Sequence, residues 1–180
     1  MTKIVLMHYI KFIFRSALFL FATGTYIYNA VTNGKSGFLP AKGWKFNYQQ
    51  YLRKQDNYYY YYDQNFELHK FAPALGDSSI YYDSTGQTGL TLKEVLSNGS
   101  ITSYEITDGK NSTLTFNAQG ALVKITEKRG TNAIDLTITY NQDVTRITSI
   151  TDGANRTFNF AYDVVDRYGK EDPTREALLW

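Results

Sequence analysis

From residue 43 to residue 163, apolar and polar side chains alternate with a period of two, and turn-forming residues break the pattern every few positions. Gly43–Leu52 sets Trp44, Phe46 and Tyr48 on one face, Tyr58–Tyr62 is an unbroken run of tyrosine, and Phe66–Phe71 alternates Phe66, Leu68 and Lys70 with Glu67, His69 and Phe71. Asp63-Gln64-Asn65 reads as the hairpin turn between the last two. Further strands are predicted at Ile80–Tyr82, Leu90–Val95, Ile101–Ile106, Thr113–Phe116, Leu122–Thr126, Ile134–Tyr140, Arg146–Thr151 and Thr157–Tyr162. Turns are expected at Asn98-Gly99, Asp108-Gly109, Gln119-Gly120, Arg129-Gly130, Asn141-Gln142 and Asp152-Gly153. A strand cannot bury a face alone, so this spacing predicts an all-β antiparallel meander of short strands with no room for long helices.

The two ends depart from the pattern. Residues 4–31 are apolar but carry His8, Lys11 and Arg15, and the uninterrupted apolar run Ala17–Ala22 falls well short of the roughly 20 residues of a spanning helix. Positive charge ahead of a short apolar core is leader-like, with Ala22 and Gly24 near a potential cleavage point. Residues 1–24 are therefore read as a leader, an anchor, or the product of a misassigned reading frame. Thr25–Val31 reads also as a strand. At the other end, residues 164–180 are charged and contain Pro173; an irregular tail with a short helix over Arg175–Trp180 is expected.

Composition agrees with strand and turn chemistry. Tyr (16) outnumbers Phe (11), there are 13 Gly against 3 Pro, and Cys is missing, which excludes disulfides and thiolate metal sites. Residues 1–60 hold 8 Lys/Arg and a single acid, Asp56, whereas residues 61–180 hold 11 Lys/Arg and 16 Asp/Glu. The basic start suits a leader. No basic stripe interleaves with aromatics, so a nucleic-acid partner is not expected.

The second half repeats. Ile106-Thr107-Asp108-Gly109-Lys110-Asn111 recurs as Ile150-Thr151-Asp152-Gly153-Ala154-Asn155, with a looser copy at Ile125-Thr126-Glu127-Lys128-Arg129-Gly130. Each copy is followed by a strand that ends in an aromatic and then Asn or Asp: Phe116-Asn117, Tyr140-Asn141 and Tyr162-Asp163. A period a little over 20 residues marks units that complete one another's core. The Asp-Gly pair is expected to supply a positive-φ turn, and the Asp side chain to bond the backbone.

These residues resemble the RHS/YD-repeat family. Tyr162-Asp163 matches its Tyr-Asp pair, Phe116-Asn117 and Tyr140-Asn141 match with Asn for Asp, and Ile147–Thr157, with Asp152, Gly153 and Arg156, matches the second strand and turn. Upstream, Tyr28-Asn29 followed by Ala41–Gln50, the hairpin Tyr59–Phe71, and Tyr82-Asp83 through Leu92 resemble the lead-in to the repeats in wall-associated RHS proteins of Gram-positive bacteria. The likeness spans about residues 25–163. It implies part of a β-shell that encloses or presents an effector domain, on the cell surface or secreted. The chain has about three repeat units and lacks the family's self-cleavage region, so the resemblance implies a fragment. On this reading 1–24 is a leader or anchor, 25–105 a β-rich lead-in, 106–163 the repeats and 164–180 the tail. The partners implied are the remainder of a shell or a toxin or effector domain, with cell-wall glycan as a further candidate and membrane contact through residues 1–24 alone.

Candidate chemistry is sparse. His69 lacks a partner in the linear pattern and reads as structural; a hydrolase would require it beside a carboxylate in a pocket. Asp108, Glu127 and Asp152 recur at equivalent turns without the acid spacing of a calcium loop, so they are read as turn caps. Gly34-Lys35-Ser36 lacks the frame of a phosphate loop. No catalytic residue, cofactor or metal is expected. The one candidate binding surface is aromatic: Trp44 with Tyr58, Tyr59, Tyr60, Tyr61 and Tyr62, able to stack on sugar rings if exposed in one row. The expected function is a non-catalytic shell segment, with a carbohydrate- or surface-binding module as the alternative.

Overall fold

A computed structural model describes residues 26–28, 44–65, 67–84, 88–144, 146–165 and 171–178. The leader-like segment 1–24, the Gly34-Lys35-Ser36 triplet and Phe66 lie outside these residues. Among the described residues there is no helix, and hence none long and apolar enough to cross a membrane.

The all-β expectation holds. Eleven consecutive strands form one antiparallel meander: β3 (Tyr51–Gln55), β4 (Tyr58–Tyr62), β5 (Leu68–Ala74), β6 (Asp77–Asp83), β7 (Thr91–Ser97), β8 (Ser100–Thr107), β9 (Ser112–Asn117), β10 (Leu122–Arg129), β11 (Asn132–Tyr140), β12 (Ile147–Thr151) and β13 (Thr157–Asn159). Two further pairs flank it, β1 (Tyr26–Tyr28) with β2 (Trp44–Phe46), and β14 (Tyr162–Val165) with β15 (Glu171–Leu178).

Three expectations are corrected. Gly43–Leu52 is not one strand: a turn at Asn47-Tyr48 separates β2 from β3, held by Phe46 N–H donating to Gln49 Oε1 at 2.7 Å and Gln49 N–H to Phe46 O at 2.8 Å. Alternation alone cannot reveal a turn whose residues are themselves aromatic and amide. Thr157–Tyr162 is likewise split between β13 and β14. The tail is strand, not helix: Tyr162 pairs with Leu178, Asp163 with Ala177 and Val164 with Glu176. The helix formers there span about one and a half turns, too few to nucleate unaided, so pairing to β14 prevails. Pro173 is compatible with β15 because, among the described residues, β15 pairs with β14 alone and is an edge strand.

The alternation puts one face of the sheet inward. Leu52, Tyr59, Tyr61, Phe71, Tyr81, Leu92, Tyr104, Ile106, Phe116, Leu122, Ile138, Ile147 and Ile150 form one buried cluster. Tyr59, Phe71, Leu92, Ile106, Phe116, Leu122 and Ile147 are almost wholly excluded from solvent. Burying a side chain of this size contributes roughly 1.5–3 kcal/mol, which is what drives the sheet to close on itself. Closure occurs six strands on from the edge. Tyr51, at the start of β3, bridges to Ala121 in the turn between β9 and β10. Leu52 N–H donates to Gly120 O at 2.7 Å, and Leu122 N–H to Gln50 O at 3.2 Å. The Phe46 ring meets Phe160 edge to face at 5.6 Å, joining the lead-in to the segment after β13.

Five of the turns share one device. In the turns that begin at Asp63, Asp108, Asn117, Asn141 and Asp152, the residue's N–H donates to the carbonyl of the residue four or five further on. Its side-chain Oδ1 accepts the N–H of that same residue (Glu67, Ser112, Ala121, Arg146 and Arg156). The repeat-defining Asn117, Asn141 and Asp152 are therefore caps that close the hairpins. In the Asp152 turn the positive φ falls on Asn155 (61°) and not on Gly153. Space around Gly153 is tight, since a Cβ there would lie 3.0 Å from Ile134 Cγ2.

Candidate functional site

In a meander, alternate turns collect at the same end of the sheet. At one end, the Asp63, Asp108 and Asp152 turns and the segment before β7 surround a cleft of about 750 Å³. Leu90, Leu114, Ile125 and Leu136, each partly buried against the core, form its apolar wall. Its polar groups are Tyr48, Gln50, Tyr61, Asp63, His69, Glu127, Asp135, Asp152 and Arg156. An apolar wall with a few convergent polar groups is the usual build of a small-molecule site. The carboxylates outnumber the cations, which favours a neutral or cationic occupant.

Several of these groups are already engaged. Arg156 Nε donates to Asp152 Oδ2 at 2.7 Å, and burial's upward pull on the Asp152 carboxyl is outweighed by Arg156 and the turn amides, which hold it below the usual range. Asp135 is held low by Lys124 Nζ at 2.8 Å and by Thr126 Oγ1 at 2.7 Å. Asp108 is held low by the amides of Lys110 and Ser112, with Asn111 and the Lys110 charge adding to the effect. Burial, with the Glu127 charge adding to it, pushes the Tyr48 phenol up to about 12 against a hydrogen bond from Asn47. Burial and Asp63 push Tyr61 higher still, and its hydroxyl donates to Gln50 Oε1 at 2.5 Å.

His69 stands beside a carboxylate, which the linear pattern did not disclose. Its Nε2 lies 3.5 Å from Asp63 Oδ2, and its ring stacks on Tyr61 at 5.4 Å. Asp63 Oδ1 accepts the N–H groups of Asn65 and Glu67, both at 2.8 Å, so Oδ2 is left facing His69. Glu67 completes a group of three whose ligand atoms lie within 4.8 Å of one another. A base and an orienting acid are thus in place, but the phenols in the cleft wall are held protonated and so are poor nucleophiles. The signal available in the sequence was the Asp63-x-x-x-Glu67-x-His69 spacing across a tight turn, which puts all three on one hairpin end.

The tyrosine run does not form a single exposed row. Tyr59 and Tyr61 point into the core at 1% and 4% exposure, while Tyr58, Tyr60 and Tyr62 lie on the opposite face. On that face Lys70 Nζ sits 3.8 Å from the centre of the Tyr58 ring, and Tyr51 stacks on Tyr62 at 4.5 Å. The Trp44 side chain lies outside the described part. Of the repeat-defining residues, Phe116 is core, Tyr140 is half-buried, Asn117, Asn141 and Asp152 cap turns, and Gly153 and Arg156 line the cleft. Tyr162 and Asp163 are placed by the β14 backbone alone.

No protein-family model matches the chain, and no curated protein matches it.

Proposed function

We propose that the chain is a non-catalytic structural segment of an RHS-type β-shell, secreted or at the cell surface, that continues into further repeats and helps enclose an effector domain. The observation that carries this reading is the uninterrupted meander of eleven strands, coiled so that its first edge seats on the Gly120 turn while β13 is the last strand of that sheet among the described residues. The Asn/Asp closure that recurs at the Asn117, Asn141 and Asp152 turns supports it, because a unit that repeats its own turn chemistry can be extended in one direction.

A strand at the end of a sheet is a template for another strand. Phe158, on β13, is 41% exposed and sits opposite Ile150 in the register with β12. Sedimentation velocity over a concentration series is expected to show self-association of the full chain, and Phe158→Lys to shift it towards monomer without altering the far-ultraviolet spectrum. A wild-type chain that stays monomeric at all concentrations would count against the shell reading.

A second reading, a carbohydrate-binding module, is favoured by the cleft rather than by the tyrosine run. It requires saturable binding of cell-wall glycan fragments in the cleft, and no saturable binding at millimolar fragment would overturn it.

A further inference from the structure

We propose that Asp63, Glu67 and His69 form a binding site for a divalent transition-metal ion, with Zn²⁺ as the best match to the donor set. One imidazole nitrogen and two carboxylates are ligands of the kind Zn²⁺ takes in sites that keep an open position. The spacing is the specific argument. A charge-assisted hydrogen bond between imidazole and carboxylate is about 2.7–2.9 Å long, whereas His69 Nε2 and Asp63 Oδ2 stand 3.5 Å apart. Two ligands of one tetrahedral ion, each about 2.0–2.1 Å from it, stand about 3.3 Å from each other. The pair is therefore too wide for a strong hydrogen bond and close to the width at which both can reach one ion.

The flanking groups orient these ligands. Asp63 is fixed by two backbone amides on Oδ1, and its Oδ2 is the oxygen nearest His69 Nε2. The His69 ring is held by its stack on Tyr61. Both side chains are about 15% exposed, so an ion there would be partly shielded from water. Glu67 is exposed and unbranched, and its carboxylate already lies within 4.8 Å of the other two ligand atoms, so a side-chain rotation can bring it in. Asp63 and His69 both line the cleft, so an ion they held would be reached from it. The site does not depend on the shell reading, and either can fail without the other.

The test is calorimetric titration of the chelator-treated full chain with ZnCl₂, with Co²⁺ absorption as a second readout. One ion per chain is expected, with a visible band of nitrogen and oxygen ligation. Asp63→Asn retains Oδ1 for the turn and removes the coordinating oxygen; His69→Gln removes the nitrogen. Each is expected to weaken binding at least tenfold, since even outer-shell changes at metal sites cost 10–100-fold. Should either variant fail to fold, the wild type still decides: the chain has two histidines, His8 and His69, and Zn²⁺ must shift the His69 ring resonances. No saturable uptake at millimolar Zn²⁺, binding unchanged in both variants, or an unmoved His69 resonance would overturn the site.

Discussion

Gly120→Ala is expected to destabilise the protein by more than about 3 kcal/mol, one of the largest effects of any single methyl group in the fold. Two causes add. Gly120 has φ +86°, a conformation that side chains disfavour. A Cβ on it would also lie 2.0 Å from Leu52 O, a distance no non-bonded carbon and oxygen tolerate. The atom in the way is backbone, so relief requires β3 to move. Moving it breaks the bond from Leu52 N–H to Gly120 O and that from Leu122 N–H to Gln50 O. Gly99 supplies the control. Its φ is +78°, but nothing lies within 4 Å of its would-be Cβ, so Gly99→Ala carries the backbone strain alone, roughly 1 kcal/mol. Urea denaturation of the two variants beside the wild type separates strain from closure. Equal losses for both would mean that the seat of β3 on this turn contributes nothing to stability, and the coiled closure would have to be abandoned.

That closure was the part of the fold least legible in the sequence. Alternation of inward Tyr59 and Tyr61 with outward Tyr58, Tyr60 and Tyr62 follows from period two, and so do the strands around Leu92, Ile106, Phe116 and Ile150. The Asx turns were readable because Asp and Asn act on backbone within five residues of themselves. Which strand meets which across the coil is set by twist and by shear between distant residues, and no local pattern encodes it. Gln119-Gly120 was expected to be a turn; that it is also the docking point of Leu52, 68 positions earlier in the chain, was not. The cleft escaped notice for the same reason. Its groups come from turns far apart in sequence, Asp63 and Asp152 among them, gathered at one end by the meander. At the tail, local propensity pointed to a helix and pairing with β14 overrode it.

Glu94→Ala is expected to cost about 2–4 kcal/mol, and Glu94→Gln less, because of what converges on one oxygen. Glu94 is 8% exposed, and its Oε1 accepts from Tyr59 Oη at 2.5 Å, Tyr81 Oη at 3.0 Å and Lys54 Nζ at 3.0 Å. Tyr59, Tyr81 and Tyr104 pack edge to face around it. Truncation to alanine strands two buried hydroxyls, while Lys54, 44% exposed, recovers most of its loss in water. Glutamine keeps the acceptor and forfeits the charge. Acidity follows with a definite sign. Burial raises the Glu94 carboxyl, but hydrogen bonds from Tyr59, Lys54 and Tyr81 and the Lys54 charge outweigh it and hold the group below its ordinary value. The unfolded chain then binds the proton more readily than the folded one, so this contribution is complete above the unfolded carboxylate range near pH 4.3. It is lost as the pH falls through the lower folded value. The turn acids Asp108 and Asp152 are also held low and act in the same direction. Urea midpoints between pH 7 and pH 3 are expected to fall most steeply below about pH 5, and Glu94→Gln to flatten that fall in part. A variant whose midpoint declines in parallel with the wild type across the whole range would show that Glu94 is not held ionised by this cluster, and the buried tyrosine–glutamate network would then be packing without charge.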